Sequence, residues 1–272
     1  MTTTGQRTTD VATGGHAGPQ LSFVLPTFNE VGLLGSTVTN LVTGLDARDL
    51  SYEILIVENG STDGTLPLAR LLAAQIAGVR VLALPRGDYG GALFAGFGSA
   101  RGQIVVNFDV DYYDLGFLDA ALEIVEGDRA DLVLASKRVP DADDRRPISR
   151  RLLTFGFTTM LRWAVALPVS DAHGMKVMVR ARVEPSVTAC RLRGSIYDVE
   201  LLCRAHDAGV RISELPASVA ERRPPRSSVV QRSFEALGST ARLAWILRRA
   251  RRPRRDERAV GLPRGRRRRR GE

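Results

Sequence analysis

Cysteine is scarce in this 272-residue chain: only Cys190 and Cys203 occur, in neither a CxxC nor a His-Cys spacing. That excludes a disulfide framework and a cysteine-based structural zinc site, and it fits a reducing, cytoplasmic setting. Long apolar runs are missing as well. Arg162 and Arg248 interrupt the best stretches, leaving them short of the ~20 apolar residues that a spanning helix needs. If the protein works on lipid, it meets the membrane from the side, as a peripheral protein at the inner face. Residues 1–20 are rich in Thr and Gly and lack the apolar run of a secretory signal, so they read as a disordered leader. No G-x-G-x-x-G follows the first apolar strand and no P-loop occurs, which removes two common glycine-rich phosphate cradles.

What the chain does have is enough apolar content, 44%, to bury one substantial core. Its net charge of +9 comes largely from the stretch after Leu247, RRARRPRRDERAVGLPRGRRRRRGE. Residues 250–272 therefore read as a disordered arginine-rich tail, since like charges repel and nothing apolar offsets the ordering entropy. Such a tail is attracted to anionic lipid. It lacks interleaved aromatics and a recognition module, so no nucleic-acid partner is expected, and a nucleic-acid-binding role is the remote alternative.

Apolar runs of strand length alternate with helix-period stretches through the first half, the pattern of a doubly wound α/β fold with a mainly parallel, Rossmann-like sheet and helices on both faces. Strands are predicted at Leu21–Leu25, Glu53–Val57, Val79–Leu84, Gln103–Asn107 and Leu132–Ala135, with crossover helices at Gly32–Leu45, Gly64–Ile76 and Gly91–Ala100. Downstream, helices are predicted at Ser149–Ala166 and Asp198–Ala208 and a short strand at Val210–Pro216. Residues 21–228 form the predicted catalytic domain, and 229–249 a C-terminal amphipathic helix that packs on the domain or lies in a lipid interface.

In such sheets ligands sit beyond the carboxyl ends of the strands, and those ends are polar here. The first strand runs into Pro26-Thr27-Phe28-Asn29-Glu30 and the second into Glu58-Asn59-Gly60-Ser61-Thr62-Asp63-Gly64-Thr65. Arg86-Gly87-Asp88-Tyr89-Gly90-Gly91 follows the third, its glycines permitting close backbone approach. The fourth ends in Asn107-Phe108-Asp109-Val110-Asp111. If the backbone stays extended, Asp109 and Asp111 share a face. Two such carboxylates repel unless a cation lies between them, and hard oxygen ligands suit Mg²⁺ or Mn²⁺.

The order of these motifs resembles the inverting family-two glycosyltransferases of GT-A fold, whose signature runs P-x-Y-N-E, V-D-D-G-S-x-D-x-T, G-x-G-x-A and D-x-D. Downstream, Ala135-Ser136-Lys137-Arg138 stands where G-S-R is usual. Ser170-Asp171-Ala172-His173-Gly174-Met175-Lys176 resembles the D-x-x-S-G-F-R stretch of polyprenyl-phosphate and dolichyl-phosphate mannose or glucose synthases, and Glu214-Leu215-Pro216 with Arg222 and Ser227 resembles their E-V-P and R-x-x-G-x-S. The resemblance covers about Leu21 to Ser228. It departs at Glu58-Asn59 for the usual Asp-Asp, at Tyr113 for a Gln, at Lys137 for an Arg, and at Pro225 and Ser228 for a Gly and a Lys.

What the resemblance implies is a nucleotide-sugar donor (GDP- or UDP-hexose) held by Pro26, Phe28, Glu30, Glu58, Asn59, Gly90, Asp109 and Asp111. Asp109 and Asp111 would ligate Mg or Mn. Lys137, Arg151, Arg222 and Ser227 would bind an acceptor phosphate, with Asp111 and Asp171 as the catalytic residues. A polyprenyl phosphate acceptor is already ionised near neutral pH, its second pKa being ~6, whereas a hydroxyl acceptor needs a general base. For a hydroxyl acceptor, Asp198 or Glu200 would have to serve.

Overall fold

A computed structural model describes residues 18–48, 50–140, 142–144, 148–219 and 229–251. Residues 1–17 of the leader, residues 252–272 of the tail, Arg222 and Ser227 lie outside the described residues.

The elements follow one another as β1 (Leu21–Thr27), α1 (Leu34–Asp46), β2 (Tyr52–Asn59), α2 (Thr65–Gln75), β3 (Val79–Leu84), α3 (Tyr89–Ser99), β4 (Ile104–Asn107), α4 (Leu115–Glu126), β5 (Leu132–Ser136), β6 (Asp143–Asp144), α5 (Ile148–Val165), β7 (Lys176–Val179), α6 (Arg180–Ala189), α7 (Tyr197–Asp207), β8 (Ile212–Pro216), β9 (Ser218–Val219) and α8 (Val229–Arg251). A short 3-10 turn, Gly194–Ile196, leads into α7. The seven-stranded sheet has the order β3-β2-β1-β4-β7-β5-β8. All neighbours run parallel except β7, which is antiparallel to both β4 and β5. The expected α/β architecture is therefore present, with every anticipated strand and helix in place to within a few residues.

Helices cover both faces, and each face has its own core. One gathers Val24, Val57 and Val105 of the sheet with α3, α5, α6, α7 and α8. The other sets Phe23, Ile56 and Val106 against α1, α2 and α4. Alternation along each strand divides its side chains between the two. Burial on both faces also explains why these strands read as near-continuous apolar runs.

Helices α4 and α6 and strand β7 were not anticipated, nor were the two-residue strands β6 and β9 and the 3-10 turn. Helix α4 carries a full apolar stripe, Phe117, Leu118, Ala121, Leu122 and Val125, and an Asp114 cap that accepts from Gly116 N (2.8 Å) and Phe117 N (3.2 Å). Its signal was present in the sequence. Strand β7 has only four residues, too few for periodicity to register. Helix α6 contains Pro185 and buries only Val183, Ser186 and Val187, so it has almost no amphipathic pattern.

Two glycines are dictated by packing. A Cβ on Gly90 would run into the Gly194 carbonyl and the Cβ of Tyr197, 2.6 Å away; the glycine lets α3 meet the 3-10 turn. A Cβ on Gly174 would collide with the Ala135 carbonyl, at the place where Ala135 N donates to Met175 O (2.9 Å). Gly174→Ala is therefore expected to lower stability by about 1–3 kcal/mol, the usual cost of forcing extra atoms into a packed site, measured by urea unfolding against wild type.

Candidate active site

The βα loops at the carboxyl end of the sheet are tied to one another before any ligand is considered. Asn29, held at a positive φ of 55°, donates its N–H to Ser61 Oγ (2.8 Å) and accepts from Thr62 N at Oδ1 (2.9 Å). Glu30 N donates to Thr65 Oγ1 (2.8 Å). Glu58 is buried and accepts from Ser61 N (2.6 Å). Asn59, also buried, accepts from Asp88 N (3.0 Å). Asp88 in turn caps α3 through Gly91 N (3.0 Å) and reaches Gly194 N (2.7 Å). Glu30, Glu58 and Asn59 thus converge on one edge. Pro26 is half-buried at the end of β1, and Phe28, 41% exposed, lies over Gly87.

Asp109 and Asp111 do not continue a strand. β4 stops at Asn107, and Asp109 pairs with Tyr112 in a tight reversal, with N–H to carbonyl distances of 3.1 and 3.2 Å in the two directions. The strand-face expectation for the pair is corrected accordingly: a turn brings them together. Thr37 on α1 fixes that turn by donating its hydroxyl to Val110 O (2.7 Å). Tyr113 turns away from the carboxylates, its ring against Phe108 and its hydroxyl accepting from Asn40.

Around the turn stand Tyr89, Lys137, Lys176 and Asp198. Burial, together with the neighbouring charges of Asp111 and Asp198, pushes the Asp109 carboxyl up to about 6; Lys176 and Lys137 oppose the shift. The Tyr89 hydroxyl hydrogen-bonds Asp109, and burial beside these carboxylates raises it well above the ordinary phenol value. Lys176 and Asp198 are both fully buried, Nζ lying 3.0 Å from Oδ1. Lys176 also donates to Gly174 O (2.9 Å). Neither Asp198 oxygen accepts a well-directed hydrogen bond, so charge alone holds that pair. Sequence reading gave Tyr89 and Lys176 no role. The legible signal for Lys176 was a cation opening the otherwise apolar run Lys-Val-Met-Val.

Asp171 is buried, and burial would raise its carboxyl. Lys137, with Nζ 3.0 Å from Oδ2, and the His173 N–H (3.1 Å to Oδ1) outweigh that effect and hold it below the ordinary value. Lys137 also reaches His173 O (3.3 Å), and His173 Nε2 lies 2.9 Å from Ser195 O. The whole loop is anchored by Glu214, which accepts from Ser170 N (3.0 Å) and Ser170 Oγ (2.7 Å). Glu200 is engaged with Leu192 N (2.7 Å), Arg191 N (3.0 Å) and Arg204 (2.7 Å). Arg151 stands exposed on α5. A groove of about 800 Å³ along Ala241, Ala244, Trp245, Arg248 and Arg249 of α8 includes none of the sheet-edge carboxylates.

The glycosyl transferase family 2 model matches residues 22–184, which run from β1 into the first half of α6 and take in the loops that carry Asn29, Glu58, Asp88, Asp109, Lys137 and Asp171, while Ser195, Asp198, Glu200 and Glu214 lie beyond the matched stretch. The chain belongs to glycosyl transferase family 2. It is a glycosyltransferase with the GT-A fold. It is 29% identical over 84% of its length to glycosyltransferase AglD of Haloferax volcanii, but spans only 37% of that protein. It is 31% identical to the undecaprenyl-phosphate mannosyltransferase of Micrococcus luteus, covering 73% of this chain and 83% of that one. Glucosyl-3-phosphoglycerate synthase from Mycobacterium tuberculosis superimposes with a TM-score of 0.61 in its UDP complex, at 21% identity over 84% of this chain and 81% of that one. Its complex with Mn²⁺ and UDP-glucose gives 0.58, at 22% identity over 86% and 79%.

Among the described residues no three His, Cys, Asp or Glu side chains converge to hold an ion by themselves. The Asp109–Asp111 pair still fits a hard divalent cation, whose shell substrate phosphates and water complete. Burial first, and then the neighbouring Asp111 charge, raise the Asp109 carboxyl, and a bound cation would oppose both effects. The sign of the effect is testable without turnover. Because the folded value, about 6, lies above the ordinary carboxyl value of 3.8, ionised Asp109 destabilises the metal-free fold, and the penalty develops as pH rises from about 4 to 6 and persists above that. Asp109→Asn should therefore stabilise the EDTA-treated protein at pH 7.5 by about 1–2 kcal/mol, at 1.36 kcal/mol per pKa unit discounted for partial exposure. The gain should vanish near pH 4, as read by urea unfolding at both pH values.

Proposed function

We propose that this glycosyltransferase moves a hexose, mannose or glucose, from a GDP- or UDP-sugar to a polyprenyl phosphate with inversion, at the cytoplasmic face of a membrane. The observation that carries the acceptor assignment is that the carboxylates available as a general base are already committed. Lys137 pairs with Asp171, Lys176 with Asp198, and Arg204 with two backbone N–H groups occupies Glu200. An ionised phosphate is its own nucleophile and needs no proton removed. The Micrococcus relative, named for undecaprenyl-phosphate, supports the same class of acceptor. The Mn²⁺ and UDP-glucose bound to the structural neighbour support a nucleotide-sugar donor and a divalent cation.

In this reading Glu30, Glu58 and Asn59 border the nucleoside, with Pro26 and Phe28 shaping the same edge, while Gly90 acts indirectly by letting α3 pack on Gly194 and Tyr197. Asp109 and Asp111 hold the cation, Mg or Mn. When bound, that ion supplies positive charge to the diphosphate leaving group. Tyr89 orients Asp109. Lys137 presents a cation toward the acceptor phosphate, and Asp171 acts as its positioning partner rather than as a base, because a carboxyl held below its ordinary value is a poor proton acceptor. Arg151, Arg222 and Ser227 complete the acceptor side.

A hydroxyl acceptor is the second reading, favoured by the likeness to a synthase of glucosyl-3-phosphoglycerate. It requires Asp198 to leave Lys176. Incubation with labelled GDP-mannose or UDP-glucose, Mn²⁺ and polyprenyl phosphate should yield an organic-extractable, mild-acid-labile sugar. Label appearing only in water-soluble acceptors would select the hydroxyl reading instead. Asp111→Asn should remove turnover by at least ~10²-fold, as loss of a charge-stabilising group in a transition state does, with the fold intact by circular dichroism.

A further inference from the structure

Helix α5 has two apolar stripes, and among the described residues one is buried in the molecule while the other is exposed. At about 100° per residue, Thr158, Leu161 and Val165 fall on one side, and all are buried. On the other side Ile148, Leu152, Phe155 and Trp163 stand at i, i+4, i+7 and i+15, which aligns them in a single row. They are 72%, 65%, 57% and 87% exposed. Isolated exposed apolar residues are ordinary, and Leu71 and Val31 are examples here; four large ones aligned over four turns, with Thr159 alone between Phe155 and Trp163 on that line, are not.

The row is edged by cations. Arg151 and Arg162, eleven residues apart and hence on the same helix side, are both exposed. The guanidinium of Arg138, the residue after Lys137, lies 4.6 Å from the centre of the Phe155 ring. Helix α8, which packs on α5, repeats the combination: Trp245 is 62% exposed with exposed Arg242, Arg248 and Arg249 around it, and the Arg249 guanidinium lies 5.6 Å from the Trp245 ring. Both tryptophans of the chain are thus turned to solvent among arginines.

We propose that the outer face of α5, continued by Trp245 of α8, is a docking surface for an anionic lipid bilayer. Aliphatic and aromatic side chains enter the boundary between headgroups and acyl chains, tryptophan favours that boundary, and the flanking arginines pair with lipid phosphates. A second copy of the chain fits less well, because a symmetric contact would set one arginine-edged face against another. The inference goes beyond the acceptor assignment and gives it a geometry. Lys137 of the proposed acceptor site and Arg138 of the docking face are consecutive residues, so a phosphate carried by a membrane lipid would arrive at the active edge from the α5 side.

The test uses the full chain with vesicles of phosphatidylglycerol or phosphatidylcholine, at about 0.5 M salt so that long-range attraction of the arginine-rich tail is screened. Trp245→Phe leaves Trp163 as the sole tryptophan. Its emission should shift to the blue on adding phosphatidylglycerol vesicles, be quenched by brominated acyl chains, and respond less to phosphatidylcholine. Ile148→Ser with Leu152→Ser and Trp163→Ser should lower vesicle partitioning about tenfold or more, with nucleotide binding retained as evidence of folding. Co-sedimentation with unchanged Trp163 emission would place lipid contact elsewhere and overturn the proposal. So would a dimer in light scattering that the triple variant dissociates while vesicle binding persists. None of these readouts requires turnover, so failure of the lipid-phosphate acceptor reading would leave them interpretable.

Discussion

Negative charge concentrated at one end of the sheet is the constraint around which the active edge is built. Asp109, Asp111, Asp171 and Asp198 gather where β4, β5 and β7 meet the loops. In a partly desolvated setting such a group of carboxylates is costly unless cations are set among it. The fold provides two from its own residues. Lys137 follows directly on β5 and closes on Asp171; Lys176 opens β7 and closes on Asp198. Asp109 has no such lysine partner among the described residues; burial and the neighbouring Asp111 and Asp198 charges push its carboxyl up to about 6. In the proposed site, an external cation takes the place that the two internal lysines leave open.

The antiparallel strand makes this arrangement possible. A further parallel strand between β4 and β5 would direct its carboxyl end toward the active edge. β7 runs the other way, so its first residue stands there. In register, Lys176 faces Asn107 on one side and Leu134 on the other, which fixes its ammonium beneath the Asp109 turn. A buried ion pair is a poor source of stability compared with apolar packing of the same volume, and breaking one partner from it costs about 3–5 kcal/mol. The Lys176–Asp198 pair is better understood by what it does to its neighbours: it removes Asp198 as a base and adds positive charge under Asp109.

Much of the fold was legible because a parallel sheet buried on both faces forces long apolar runs, and those runs punctuate the chain clearly. The order of polar strand ends carried the family. What the sequence could not convey was direction and pairing. Four residues such as Lys176–Val179 have no measurable period, and nothing in them states that the strand reverses. The D-x-D spacing was read with strand geometry, whereas the chain turns after Asn107 and Asp109 pairs with Tyr112 in a tight reversal. Gly90 was read as room for a ligand, and the room is filled by Gly194 and Tyr197. Which carboxylate is paired with which lysine is a tertiary fact, and on it the acceptor chemistry turns.

The exposed row on α5 follows a related logic on the outside of the molecule. Among the described residues no helix is long and apolar enough to cross a membrane, and the lipid contact proposed for α5 is made by a face. A helix can serve two apolar environments only if its stripes are far enough apart to be separated by polar flanks. On α5 the buried stripe and the exposed one are divided by the side bearing Arg151 and Arg162. Those arginines keep the outer row from folding inward, since burying an unpaired guanidinium costs far more than exposing an isoleucine or a phenylalanine. The same two residues that hold the row in solvent are the ones an anionic surface attracts. The charge that makes the stripe tolerable in water is therefore the charge that selects what can cover it.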